Sequence, residues 1–391
     1  MSRVRKAAGN RPPSAAAAAS GIGDPVGVRR RLTRWYARAK RDLPWRRTRD
    51  PYAVWVSEVM LQQTQVERVK EFFARFLRRF PTVDDLARAR EAEVLKHWEG
   101  LGYYRRARQL HAAAKAVVAD HDGAFPASLD GLRSLPGIGR YTAGAIASIA
   151  FDLPAPIVEA NSRRVLARLA GHERPVGGAG DEPIWGLAER LVPRRGAGAF
   201  NQALMDLGAM ICTPARPVCG RCPLAADCAA HAAGREERIP VLATPRATEE
   251  RHETAIVTRH GGRVLVVRRG PGEWWEGLWD FPREPGGASG RAIGQVRYGV
   301  THHRIECGVV ERMAARATAA PAGGRWVPIA DLDSLAMTAP GRRIARLLAG
   351  GKAAPGDRVS RGRAAAASPR RGRRAAGSRR AAGGSRLARR A

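Results

Sequence analysis

The sequence predicts a multidomain protein, in which an all-α domain is followed by a small α/β domain, with low-complexity arms at both ends. Three observations carry this. From Val28 to Ala233 apolar residues recur at three and four positions with few strand-like alternations. Between Gly234 and Glu250 the chain turns Pro-, Arg- and Glu-rich and loses that period, as a linker does. Beyond it, short apolar runs flank glycine turns, the mark of hairpins.

The predicted organisation is a disordered basic arm over 1–27, a helical domain over 28–233, a linker over 234–250, an α/β domain over 251–350 and a disordered tail over 351–391. Helices in the first domain are separated by Asp42-Leu43-Pro44, Phe80-Pro81-Thr82, Phe125-Pro126, Leu135-Pro136-Gly137 and Leu153-Pro154. No repeat of solenoid length is visible. In the second domain, Thr254 to Val257 and Arg263 to Val267 flank His260-Gly261-Gly262 as a hairpin, Arg325 to Ile329 reads as a strand and Gly341 to Leu348 as a closing helix.

A formal charge of +32 over 391 residues calls for a polyanionic partner, most simply nucleic acid. The stretch from Lys352 carries +12 of it, so the remainder is basic in its own right. That tail lacks aromatic residues and reads as an arm that raises nonspecific affinity by releasing counterions. Met1 to Asp24 superficially suits a transit peptide, but the same Ala, Arg and Gly usage runs through the whole chain and favours a plain arm. No apolar run is long enough to span a bilayer, and the reading is of a soluble protein. A bacterial, cytoplasmic, nucleoid-associated monomer with no membrane partner is expected. The chain has five cysteines, of which four are crowded together; a metal site explains this better than a disulfide scaffold.

Those four, Cys212, Cys219, Cys222 and Cys228, are spaced C-x6-C-x2-C-x5-C directly after a helical segment. Spacing alone leaves a tetrahedral zinc and a cubane cluster open, since both accept four thiolates. Upstream, Leu135-Pro136-Gly137-Ile138-Gly139 joins two helices. Gly137 and Gly139 let backbone N–H groups approach a DNA phosphate without base preference. The cysteine loop and this hairpin together resemble the endonuclease III-like superfamily of helix-hairpin-helix DNA glycosylases, and the resemblance implies a [4Fe–4S] cluster on the four thiolates.

Removing a base breaks an N-glycosidic bond through a cation-like state. An acid must neutralise the leaving base, a carboxylate must steady the cation, and the base must first be flipped out of the duplex. Glu58, in Ser57-Glu58-Val59-Met60-Leu61-Gln62-Gln63-Thr64-Gln65, is the candidate acid, because a carboxyl held among Val59, Met60 and Leu61 has a raised pKa. Gln62, one helical turn on, is expected to share its face and offer an amide to a base edge.

SEVMLQQTQ, LPWR at Leu43 to Arg46, GLGYYRRAR at Gly100 to Arg108 and FNQALMDLGAMIC at Phe200 to Cys212 resemble the adenine DNA glycosylase (MutY) family, which removes adenine mispaired with 8-oxoguanine. The resemblance covers nearly all of 28–350. It implies that Glu58 protonates adenine, that Arg46 and Gln202 hold the flipped base, and that Gln63 and Tyr103 enter the duplex near the lesion. The partner is then double-stranded DNA with a purine mispair. The family usually reads Asp-Gly-Asn where this chain has Glu159-Ala160-Asn161, so the second catalytic carboxylate, Glu159, sits one methylene further from the backbone. Tyr141 occupies the place where bifunctional relatives carry a Schiff-base lysine, which implies a monofunctional enzyme that leaves an abasic site.

The second domain, with Trp274, Trp275, Trp279, Asp280, Phe281 and Pro282, resembles that family's Nudix-like carboxy-terminal domain. The acidic box of a Nudix pyrophosphatase is absent. Where the family reads Phe-Ser-His in its 8-oxoguanine loop this chain has Val300-Thr301-His302, followed by His303, so Thr301 and His302 are the candidate lesion-reading residues. Cys307 is expected to pack as a small apolar residue. Two other readings stand beside this one: a thymine–guanine mismatch glycosylase and a noncatalytic iron–sulfur DNA-binding protein.

Overall fold

A computed structural model describes residues 22–242, 244, 246–316 and 319–350. Most of the predicted basic arm and the whole predicted tail lie outside the described residues.

Twelve α-helices among the described residues, from Pro25–Ala39 to Ala229–Ala232, build the first domain. They divide between two apolar cores. One gathers side chains from Leu43 to Ala155, including Trp55, Phe76, Phe80 and Trp98. The other joins the Pro25–Ala39 helix to the chain from Val158 to Ile239, including Leu166, Trp185, Phe200 and Leu207. The first helix therefore packs beside the last ones, and the segment between them crosses from one lobe to the other. That helix begins at Pro25, three residues ahead of the predicted start, because Asp24 caps it by accepting from Gly27 N at 2.7 Å.

The stretch 234–250 is only partly a connector. Ile239 is buried in the second core, its carbonyl accepts from Arg168 Nε at 2.7 Å, and Val241–Leu242 pairs in parallel with Pro175–Val176. Composition signals flexibility on average, but the buried isoleucine and the strand pair that follows it anchor the chain to the helical lobe. The helical domain thus carries one short strand pair that its periodicity does not reveal.

The second domain is a seven-stranded mixed sheet closed by the Ala339–Leu348 helix. Its long strand Glu249–His260 turns through Gly261 (φ 50°) and Gly262 (φ 75°), as the predicted hairpin requires, into Arg263–Arg268, which pairs in turn with Gly324–Pro328. A second, longer hairpin of Arg291–Val300 and His303–Met313 runs beside it, with His303–Met313 parallel to Glu249–His260. The sheet begins at Glu249, two residues before the predicted boundary.

Leu278 and Ala336 of the second domain are buried in the first helical core, and Trp275 packs against it. Arg342 grips Glu99 with both arms, at 2.6 and 3.1 Å, and Arg108 reaches Glu276 at 3.2 Å. An apolar seam flanked by these ion pairs holds the two domains together. No helix among the described residues is long and apolar enough to cross a membrane.

Candidate active site

Glu58 sits on the Pro51–Leu61 helix, which Asp50 caps by accepting from Tyr52 N and Ala53 N with Pro51 in the first turn. Every residue from Tyr52 to Met60 is buried, so this helix runs through the lobe interior and carries its one carboxyl with it. Glu58 is 4% exposed and lines a cavity of about 640 Å³ between the lobes. Burial pushes its carboxyl up to about 7; the facing Glu159 adds to the rise, while a hydrogen bond from Tyr141 and the charge of Arg46 oppose it. The Tyr141 hydroxyl donates to Glu58 Oε2, and burial beside two carboxyls holds that phenol well above its usual range.

Glu159 lines the same cavity from the N-terminus of the Ala160–Ala170 helix. Its carboxylate accepts from Ser162 N at 2.7 Å and from Asn161 N at 2.9 Å. The candidate second carboxylate is therefore also a helix cap, with its oxygens held by N–H groups on one side and its charge facing Glu58 on the other. Gly208 allows this approach: a Cβ there would come within 2.6 Å of Asn161 Cβ, so the Ala197–Met210 helix could not lie against the cap.

Arg46 and Gln202 form another wall. Both arms of the Arg46 guanidinium bind Asp206, at 2.6 and 2.8 Å, and Asp206 is fully buried one turn after Gln202. Burial works against the Asp206 charge, but Arg46 and Arg41 hold its carboxyl below the ordinary range. The Tyr36 hydroxyl donates to Gln202 Oε1 at 2.9 Å, which leaves the Gln202 amide nitrogen as a donor. The Arg46 fork is thus committed to a carboxylate, and what it offers the cavity is a flat cationic face.

The helix ends at Leu61 with Gln62 as its C-cap, whose φ of -58° is still helical, so its side chain leaves on the Glu58 side as the spacing implies. Gln62 lines the cavity, with its amide 3.4 Å from Thr142 Oγ1. Arg106 takes up the open end of the helix: its guanidinium donates to the carbonyls of Val59 and Met60 at 2.7 and 3.0 Å, which would otherwise accept from a further helical turn, and to that of Gln62. The same group reaches Leu101 O and Gly102 O at 3.3 and 3.2 Å, tying two loop tips together. On those tips lie Gln63 (φ 56°) and Tyr103 (φ 47°, 55% exposed), both left-handed and non-glycine.

Gly137 and Gly139 lie on the turn between the Leu129–Ser134 and Arg140–Phe151 helices. Gly137 has φ 74°, and a Cβ there would meet Gln109 Cβ at 2.6 Å. Gly139 caps the second helix, is exposed and brings no side-chain cap, so the first-turn N–H groups there have no capping side chain.

The four cysteine sulfurs lie close enough to influence one another's ionisation. A single tetrahedral zinc, bonded at about 2.3 Å, would hold its sulfurs about 3.8 Å apart. Among the described residues no three of these thiols come within 4.8 Å of one another, a spread that suits a larger polynuclear centre. Arg168 donates to Cys212 Sγ at 3.3 Å and to Thr213 O at 2.7 Å, and Arg164 donates to Cys212 O at 2.6 Å, so the Glu159-capped helix also pins the start of the loop.

Thr301 and His302 form the two-residue turn of the long hairpin in the second domain. Thr301 has φ 53°, a conformation in which a β-branched residue is strained. Cys307 is buried as expected, yet it accepts from Arg283 Nη1 at 2.6 Å inside a cluster with Asp280 and Glu253.

Residues 56–177 match the family of HhH-GPD superfamily base excision DNA repair proteins, and residues 253–347 match the NUDIX domain family. An adenine DNA glycosylase of Mycolicibacterium smegmatis is 43% identical over 244 residues, which cover 61% of this chain and 79% of that protein. The chain belongs to the adenine DNA glycosylase family. A Rattus norvegicus adenine DNA glycosylase is 42% identical over 275 residues, 68% of this chain and 52% of the relative, so the chain spans about half the length of the mammalian relatives it matches. A structure of a thermostable thymine-DNA glycosylase is similar with a TM-score of 0.48 at 31% identity, covering 54% of this chain and 97% of that one.

Within this family fold, sequence reasoning missed Tyr36, Arg41, Arg106, Arg164, Arg168 and Asp206. Asp206 had a signal, being the one acid in the apolar run Phe200 to Ile211. The arginines had none, because an arginine that gathers carbonyls looks no different in sequence from a solvated one.

Proposed function

We propose that this chain is a monofunctional DNA glycosylase of base excision repair, hydrolysing the N-glycosidic bond of adenine mispaired with 8-oxoguanine or guanine and leaving an abasic site. The observation that carries the reading is the Glu58 carboxyl, poised near neutrality in a cavity that Glu159 shares. Glu58 holds the proton that the leaving base takes up, so that the base departs neutral. Glu159 keeps a negative charge beside the sugar as the cation develops, and its two N–H partners hold the carboxylate in place. Tyr141 orients the Glu58 oxygen it binds and cannot act as a Schiff-base nucleophile, and no lysine lines the cavity among the described residues.

Arg46 presents its cationic face to the flipped base, and Gln202 and Gln62 present amides. Gln63 and Tyr103 enter the duplex where the base has left it, since strained, outward-pointing tips are what such an insertion needs. The glycine hairpin grips a phosphate of double-stranded DNA without reading sequence. Thr301 and His302 read the Hoogsteen edge of the opposing purine, with the strain at Thr301 as support. Cys212, Cys219, Cys222 and Cys228 would hold a [4Fe–4S] cluster, which supplies a rigid cross-link and redox chemistry when bound. The protein acts as a monomer in a compartment that contains DNA.

Duplexes bearing adenine opposite 8-oxoguanine, adenine opposite guanine, and thymine opposite guanine test the reading. Adenine release with strand breakage only after alkali is the expected result. Release of thymine alone, or of nothing, overturns it in favour of a thymine–guanine enzyme or a noncatalytic DNA binder.

A further inference from the structure

The parallel pairing of Glu249 with His303 sets a carboxylate beside an imidazole, and the two-residue turn before His303 folds His302 back over the same place. Glu249 Oε2 lies 3.1 Å from His303 Nδ1, and Glu249 Oε1 lies 3.6 Å from His302 Nε2; the three ligand atoms all fall within 4.8 Å of one another. In a tetrahedral zinc site with bonds of about 2.0–2.1 Å, neighbouring ligand atoms stand about 3.3 Å apart. The two carboxylate–imidazole distances lie close to that spacing, and all three ligand atoms lie within 4.8 Å of one another.

Two further features point to a ligand. His303 is 7% exposed, and its Nδ1 is buried without a hydrogen-bond partner, because the nearby carboxylate oxygen is off the ring's bonding direction. An ion between the two groups would satisfy both. His302 Nδ1 lies 3.4 Å from Thr301 Oγ1, whose own proton goes to Val300 O at 2.7 Å, so the hydroxyl oxygen accepts from Nδ1. With the Nδ1 proton on that hydroxyl, Nε2 keeps its lone pair for a metal, the outer-sphere arrangement usual for a metal-binding histidine. Trp274, 5.1 Å from the His303 ring, covers one side of the group.

We propose that Glu249, His302 and His303 form a binding site for a divalent transition-metal cation of the zinc class, with water completing the coordination. The competing cation is Arg251, 3.3 Å from Glu249 Oε2; it is half-exposed and already lies over the Trp274 ring, where it can stay when the carboxylate turns to the metal. Occupancy withdraws His302 Nε2 from any other partner. A consequence that rests on the lesion-reading role of this hairpin is that metal binding and 8-oxoguanine recognition exclude one another.

The test is titration of zinc ion alone into the full, cluster-loaded chain by calorimetry, comparing wild type with Glu249→Gln, His303→Gln and Arg251→Ala. All four proteins keep the cysteine loop, so uptake there is common to them. The wild type is expected to take one equivalent more than Glu249→Gln, whose substituted side chain is exposed and does not threaten folding; His303→Gln should match that loss, and Arg251→Ala should bind severalfold tighter than wild type. Identical isotherms for wild type and Glu249→Gln overturn the site. A second arm measures duplex affinity with 8-oxoguanine or guanine opposite adenine, with and without zinc. If zinc binds through Glu249 yet leaves the preference between the two duplexes unchanged, the site stands and the lesion-reading role of the hairpin falls.

Discussion

The Glu58 cavity and the Thr301–His302 turn do opposite things with their polar groups. Around Glu58 almost every polar atom is buried and committed: Tyr141 to Glu58, Arg46 to Asp206, Glu159 to its helix N–H groups, and Arg106 to five carbonyls. At the hairpin tip, Thr301 is exposed and strained and His303 Nδ1 is orphaned. On the proposed function the cavity is prepared for charge that develops inside it, where a low dielectric magnifies a fixed dipole and rearrangement costs free energy. The tip instead holds groups whose partners are to come from outside. Strain and unsatisfied atoms are tolerable there because a ligand, rather than the fold, completes them.

Four measurements test this contrast. The largest effect belongs to Glu58→Gln. Losing a general acid should lower single-turnover base release by about 10²- to 10⁴-fold with duplex binding retained; release within severalfold of wild type would remove Glu58 from the mechanism. The same variant should be more stable than wild type at alkaline pH. A carboxyl raised to about 7 leaves the fold unpenalised below its unfolded pKa and costs stability as pH climbs through 7, and the amide carries no such cost.

Asp206→Asn comes next. It leaves the Arg46 charge, 11% exposed, without its carboxylate, and breaking such a pair costs about 3 kcal/mol. Denaturant unfolding that shows a loss under about 1 kcal/mol would mean the pair is not the support for the cavity wall that its geometry implies.

Tyr141→Phe probes the tuning of the acid. Tyr141 donates to Glu58 and lowers its pKa, so removing the hydroxyl raises that pKa further. Wild-type base release should hold below pH 7 and fall as pH rises through about 7, the region where the acid loses its proton. In the variant this alkaline limb should move to higher pH, by an amount in keeping with the roughly 1.5–3 kcal/mol of a hydrogen bond to a charged group. A limb that stays in place would assign it to a different residue.

The smallest change is expected from Thr301→Gly. Glycine relieves a positive φ of 53°, so stability should rise by about 1 kcal/mol, while the preference for 8-oxoguanine over guanine should fall severalfold. Unchanged stability would show that the turn is relaxed as it stands. That would erase the contrast with the cavity.

The helical and sheet-bearing domains, the glycine hairpin and the cysteine loop were legible because each depends on local signals: apolar period, turn residues and spacing. Glu58 was legible through its apolar neighbours. Gln62 was legible by its spacing from Glu58, but the helix end at that point was not, because Arg106, which binds the carbonyls there, lies more than forty residues away in the chain. The linker was overestimated for a similar reason, since buried Ile239 and the Val241–Leu242 strand anchor what its charged surroundings describe as free.

By itself the sequence determined which side chains are present: two carboxyls, a tyrosine in place of a lysine, four thiols at a fixed spacing, and a Thr-His-His run. Only tertiary structure decided what state they are in. It buried Glu58 next to Glu159 and so raised its pKa. It made Glu159 a helix cap as well as a charge and turned the Arg46 fork onto Asp206. By setting Glu249 in register with His303, it also made a three-ligand cluster from residues more than fifty positions apart. Burial, register and partner are sums over distant segments, and no local window of sequence contains them.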